Sequence, residues 1–204
     1  MELLLIRHGL PVRREGTEGP ADPELSEAGV AQARHLALYL ADEHIDAIYT
    51  SPLQRAVQTA QPVAASRHLD VAVIDEVAEW DRNSNEYVPI EELKAANDPR
   101  WHAMMRGEWD ADETPDEFRA RVVHALDALV DAHPGQKVAV TCHGGVINAY
   151  LGHVLGLPVS QGFFYPNYTS IHRVAASRGG HRSIVTVNET AHLRGTGLPI
   201  GVIQ

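Results

Sequence analysis

A single cysteine, Cys142, occurs in 204 residues. That scarcity excludes an internal disulfide framework and fits a reducing compartment, so a cytoplasmic setting is expected. No apolar run approaches the roughly 18–20 residues that cross a bilayer. The leading run, Leu3-Leu4-Leu5-Ile6, breaks at Arg7, so neither a secretory leader nor a membrane partner is expected. Positive charge is also short: 17 Lys and Arg stand against 27 Asp and Glu, a net charge of −10. Too little basic surface remains to neutralise a nucleic-acid backbone. The histidines show no HExxH or similar metal-ligand spacing, so no metal or other cofactor is expected. Internal repeats and low-complexity stretches are missing too.

What remains is patterned. With 44% hydrophobic residues, the chain has apolar surface for one core, and a single domain over 1–204 is expected. Residues 1–6 read as a buried strand and 10–23 as a long loop. Residues 26–43 have helical periodicity, with Val30, Ala33, Leu36, Ala37 and Leu40 on one face. Residues 46–50 predict a strand that runs into Ser51-Pro52. Pro52 suits the first turn of a helix carrying Arg55, Ala56, Thr59 and Ala60. Residues 71–74 predict another strand. Thr114-Pro115-Asp116-Glu117 is a helix start, with an N-cap threonine, an early proline and a capping-box glutamate. Phe118, Val122, Ala125, Leu126 and Leu129 continue at helical spacing to His133-Pro134-Gly135. A buried strand over 137–141 ends in Cys142-His143-Gly144-Gly145, before a helix from 146 to about 155. Strands near 169–174 and 183–187 complete the pattern. Strands alternating with helices predict an α/β protein, a three-layer α/β/α sandwich.

One stretch interrupts that alternation. Residues 75–117 hold fourteen Asp or Glu against four Lys or Arg, and include Trp80, Trp101 and Trp109. Two readings stay open: a helical excursion with a solvated acidic face, or a lid at about 76–113 over a ligand site.

Two of the predicted strands end in His-Gly, at His8-Gly9 and His143-Gly144. Ligands in open α/β sheets bind at the carboxyl ends of strands, so two such histidines can meet in one pocket. Gly144-Gly145 at a helix start adds backbone N–H groups and the positive end of a dipole, an anion site in itself. Arg55, at the head of its helix, can reach the same pocket with a planar fork suited to phosphate. Cys142 neighbours His143 in a strand and therefore faces the other way, into the core. The other ten histidines read as mostly surface residues.

Arg7-His8-Gly9, Ser51-Pro52-Leu53-Gln54-Arg55-Ala56-Val57-Gln58-Thr59-Ala60 and Thr141-Cys142-His143-Gly144-Gly145 resemble, in order, the three signature blocks of the histidine phosphatase superfamily, which includes phosphoglycerate mutase. Leu25-Ser26-Glu27-Ala28-Gly29 and Asn188-Glu189-Thr190-Ala191-His192-Leu193 are similar to its first helix and its tail. The resemblance implies a phosphoglycerate mutase-like fold with a mixed, mostly parallel sheet. It implies that His8 becomes phosphorylated, and that Arg7, Arg55, His143 and Gly144 hold the phosphoryl group. Glu79 best matches the general acid, with Glu76 and then Asp81 as rivals. His8 must then be neutral to attack phosphorus, and Glu79 must be protonated to release the leaving group.

The chain also departs from the pattern. After the first block it reads Leu10-Pro11-Val12-Arg13-Arg14-Glu15, without the asparagine that helps hold phosphate in many members. Arg13 or Arg14 can replace that contact, or both are solvated loop charges. Glu79-Trp80-Asp81-Arg82-Asn83 lacks the glycine that often follows the acid, and Trp80, Arg82 and Tyr87 are candidate substrate contacts. With no recognisable mutase loop, hydrolysis of a small phosphomonoester is expected. A phosphoglycerate or sugar-phosphate mutase is the alternative, and a phosphate- or phosphoprotein-binding pseudoenzyme a further one. The oligomeric state stays open, with a homodimer admitted.

Overall fold

Leu3, Leu4, Leu5 and Ile6 are all fully buried, as a strand requires when both faces of its sheet are covered. They lie in β1 (Glu2–Arg7) of the computed structural model, which describes residues 1–106, 108, 112–158, 162–177 and 179–201. Trp109 of the acidic stretch lies outside the described residues. In chain order there follow α1 (Glu27–Tyr39), β2 (Ala47–Thr50), α2 (Gln54–Ala65) and β3 (Val71–Val73). Two short helices, α3 (Ile90–Ala95) and α4 (Pro99–Met105), precede α5 (Pro115–Ala132). Then come β4 (Lys137–Cys142), α6 (Gly144–Val154), β5 (Ile171–Ala176) and β6 (Arg182–Glu189).

The strands form one sheet in the order β3-β2-β4-β1-β5-β6. The pairs β3–β2, β2–β4 and β4–β1 are parallel, while β5 is antiparallel to both β1 and β6. The mixed, mostly parallel sheet expected from the sequence is therefore present. Side-chain alternation divides the core into two clusters. Leu3 and Leu5 pack with Val140 and Cys142 against α5 and α6, through Val122, Leu126 and Ile147. Leu4 and Ile6 pack with Ile48 and Ala139 against α1 and α2, through Leu36, Ala60 and Val63. Each such leucine contributes about 1.5–3 kcal/mol relative to an exposed one. Burial also pushes the Cys142 thiol up, which leaves it inert as a nucleophile.

Local signals held where their partners are local. Thr114 and Glu117 form the reciprocal capping box at the head of α5. The start of α2 differs from expectation, falling at Gln54 beyond Pro52. The cap there is tertiary: Asp22 Oδ1, from the long first loop, accepts the Gln54 N–H at 2.8 Å. Val30 is 38% exposed, beside Gln61 and Pro62 in a groove between α1 and α2 that solvent reaches.

Candidate active site

Strand register builds the floor of the site. Arg7 pairs with Cys142 and Thr50 with Thr141, so β1, β4 and β2 end level with one another. The residues that follow, His8, His143 and Ser51, emerge together at that carboxyl edge. The His8 N–H donates to the Cys142 carbonyl at 3.0 Å, which fixes the backbone beneath its ring. Its Nδ1 lies 2.7 Å from the Gly9 carbonyl oxygen. A carbonyl only accepts, so Nδ1 carries the proton and Nε2 keeps its lone pair. Burial, then the charges of Arg55 and Arg7, hold the imidazole well below its usual range. His8 is thus a neutral, oriented base on the wall of a cavity of about 600 Å³.

Two buried guanidinium groups flank it. Arg7 Nη1 donates to the Pro166 carbonyl at 2.7 Å, and its Cζ lies 4.1 Å from the centre of the Tyr168 ring. Arg55 Nη2 donates to Asp81 Oδ1 at 2.8 Å, and its Cζ lies 4.7 Å from the centre of the Tyr87 ring. His143 is wholly buried, with its ring 5.1 Å from that of His8 and its Nε2 2.7 Å from Ser51 Oγ. Arg7 Nε, Arg55 Nε and Nη1, and His143 Nδ1 are buried without any protein partner. Buried polar atoms are almost always paired. Four unpaired nitrogens gathered around one histidine mark a place for an oxyanion.

Glu79 stands across the cavity. Its Oε2 accepts the Gly145 N–H at 2.8 Å and its Oε1 the Trp80 N–H at 3.1 Å. Burial first, and then Asp81, raise its carboxyl to about 7 against the pull of those donors and Arg55. A carboxyl poised there can give and take a proton near neutral pH. The Gly145 amide is therefore occupied by Glu79, and Gly144 lines the cavity beside it. A Cβ on Gly145 would sit 2.3 Å from Glu79 Oε1, so only glycine admits the carboxylate here. Gly145→Ala is expected to lower kcat about 10–100-fold by displacing that carboxylate. A kcat unchanged in the folded variant would remove this role from the contact.

The other candidates divide. Trp80 and Tyr87 line the cavity, as do Gly144 and Asp81. His143 is buried beside His8, with its Nδ1 unpartnered. Arg13 and Arg14 stand outside, bound to Glu15 and Glu92 and to Glu24, which is the solvated-charge reading of that loop. Arg82 and Glu76 are exposed and do not line the cavity. Two histidines expected at the surface are instead buried: His172 against Ser170, and His192 against Thr169. Sequence reasoning also missed Ser51, Tyr165 and Tyr168. The tyrosine-bracketed run Tyr165-Pro166-Asn167-Tyr168 just before β5 was the available signal.

A profile of the histidine phosphatase superfamily (branch 1) matches residues 3–190. The chain belongs to the histidine phosphatase superfamily. It is 31% identical over 201 residues to phosphoserine phosphatase 1 of Hydrogenobacter thermophilus, spanning 95% of this chain and 94% of that protein. It is 28% identical over 165 residues to the probable phosphoglycerate mutase GpmB of Yersinia enterocolitica, spanning 78% and 76%. Among solved structures it resembles a phosphoserine phosphatase mutant from Entamoeba histolytica in complex with phosphoserine. There the TM-score is 0.75 at 25% identity, over 94% of this chain and 98% of that one. The histidine phosphatase fold and family expected from the three sequence blocks both stand.

Proposed function

We propose that this histidine phosphatase hydrolyses a small phosphomonoester in two steps through a phosphohistidine on His8. The observation that carries the reading is the ring of unpartnered nitrogens around a neutral, oriented His8, with Glu79 opposite. In the first step His8 Nε2 attacks phosphorus and forms the N–P bond. The ester oxygen departs with the proton of Glu79. In the second step Glu79, now a carboxylate, takes a proton from water as the hydroxide attacks phosphorus. The N–P bond breaks, releasing phosphate and restoring neutral His8. Arg7, Arg55, His143 and Gly144 hold the phosphoryl oxygens, and their fixed positive field stabilises charge in both transition states.

We read residues 76–113 as the cover of a single catalytic domain. This segment supplies Glu79, Trp80 and Asp81 beside His8, then Val88, Ile90 and Leu93 and, from α4, Met104 higher on the wall. Some of its charges are matched: Arg100 by Glu86 and Asp98, Glu108 by Arg106, and Glu113 by Arg121. The apolar part of this wall suits an apolar leaving group, while Arg100 and Arg119 also line the cavity. The lone cysteine supports a cytoplasmic setting.

Turnover of 4-nitrophenyl phosphate in EDTA, with an acid-labile phosphoenzyme, is the expected result. Activity restored only by added metal would refute the mechanism. An aryl phosphate should exceed phosphoserine in kcat/KM by about tenfold, from roughly 25 cal/mol per Å² of ring buried on the apolar wall. The reverse order would sink that assignment of the wall. Isomerised product without free phosphate would establish the mutase instead.

A further inference from the structure

Arg7 is 6% exposed, and no carboxylate lies within ion-pair distance of it among the described residues. What holds it is the Pro166 carbonyl and the face of Tyr168. Burial works against its charge, while Tyr165, Tyr168, Tyr87 and Glu91 favour it. Tyr168 is itself fully buried and tightly fixed. Its N–H donates to the Ile200 carbonyl at 2.9 Å. The next residue, Thr169, holds φ at +52°, a conformation that a β-branched residue adopts only where its surroundings demand it. Thr169 Oγ1 donates to the Tyr168 carbonyl at 2.8 Å and lies 2.9 Å from His192 Nε2, which helps to meet that demand.

The Tyr168 hydroxyl reaches a different part of the molecule. It donates to Glu91 Oε2 at 3.0 Å, in the first turn of α3. A buried tyrosine needs such a partner. Here the partner belongs to the 76–113 segment, which the first loop also holds, through the Arg13–Glu92 ion pair, the backbone bridge of Arg14 with Tyr87 and hydrogen bonds from Thr17 to Asn85 and Ala21 to Ser84, none of which touches Arg7.

We propose that Tyr168 is a positioning residue for Arg7, and that its bond to Glu91 ties this phosphate-binding guanidinium to α3 of the cover. The proposal rests on the function inferred above in so far as Arg7 binds phosphate. Coupling of this kind is reciprocal: phosphate on Arg7 steadies α3, and a seated α3 tightens phosphate.

The test uses Tyr168→Phe, which keeps the ring, Glu91→Ala, which removes the acceptor, and Glu91→Gln, which keeps one. Inorganic phosphate affinity is read by calorimetry, and cleavage within 76–113 by limited proteolysis with and without phosphate. Tyr168→Phe and Glu91→Ala should each weaken phosphate binding about 3–10-fold and lose most of the protection that phosphate gives. Glu91→Gln should behave as the parent, and the Tyr168→Phe/Glu91→Ala pair no worse than either single variant. Parent-like behaviour of Tyr168→Phe, additive effects in the pair, or Glu91→Gln matching Glu91→Ala would each overturn the tether. Failure of the parent to bind phosphate would instead count against the proposed function. Faster cleavage of the ligand-free Tyr168→Phe and Glu91→Ala variants would still support the tether in that case, and unchanged cleavage would overturn it.

Discussion

Replacing His8 with alanine should abolish turnover, by about 10⁵-fold, while inorganic phosphate still binds within about fivefold of the parent. The two halves of this result follow from separate parts of the site. Nε2 of His8 keeps its lone pair on the cavity wall, because Gly9 fixes the proton on Nδ1. Cys142 cannot substitute, since its thiol is buried in the core beneath the sheet. His143 cannot substitute either: its Nε2 is engaged by Ser51 and its ring is wholly buried. In the proposed mechanism Arg7 and Arg55 bind the phosphate, and neither takes its geometry from the imidazole. Arg7 is held by Pro166 and Tyr168, and Arg55 by Asp81 and Tyr87. Steady-state rates, calorimetry with phosphate and phosphorus NMR of alkali-quenched enzyme supply the three readouts. Residual activity within tenfold of the parent would place the nucleophile elsewhere.

Glu79→Gln should lower kcat for an alkyl phosphate by about 10²–10⁴-fold and change its pH dependence. The first step needs Glu79 protonated, and its carboxyl lies at about 7. In the parent, kcat/KM should therefore hold up to that pH and then fall roughly tenfold per unit above it. Protonation of His8 removes the nucleophile only well below 6.5, because burial, Arg55 and Arg7 depress its basicity. The glutamine variant has no such titration, and its basic limb should disappear. An aryl phosphate separates the two steps. Its leaving group departs without a proton, so the phosphoenzyme still forms, whereas the attacking water still lacks its base. A burst of nitrophenolate followed by slow turnover is the expected trace. A basic limb that persists in Glu79→Gln would move the acid to another residue.

Much of this site was readable because its signals are short. Arg7-His8-Gly9 and Cys142-His143-Gly144 each follow a strand whose apolar run is unmistakable, and strand ends are where α/β folds gather chemistry. The capping box at Thr114 is likewise complete within four residues. The errors fall where a residue's partner is far away in the chain. Arg13 and Arg14 were legible only as either phosphate contacts or solvated charges, and the residues they pair with, Glu92 and Glu24, are set by the fold. Gly145 looked like an anion donor, yet Glu79, from a loop 66 residues earlier, takes its amide. His172 and His192 carry no apolar pattern of their own, and only their contacts with Ser170 and Thr169 explain their burial.

By itself, the sequence determined the family, the placing of His8, Arg7 and Arg55 at element ends, and the alternation of strands and helices. Those features rest on side-chain chemistry and on periodicities of two and 3.6 residues, which are local. Tertiary structure alone decided which amides stay open, which charges are cancelled and how high the Glu79 carboxyl titrates. Each of these depends on distance and burial, and therefore on residues brought together from across the chain. Strand register makes that assembly: by setting Arg7 against Cys142 and Thr50 against Thr141, it converts three separate sequence blocks into one floor.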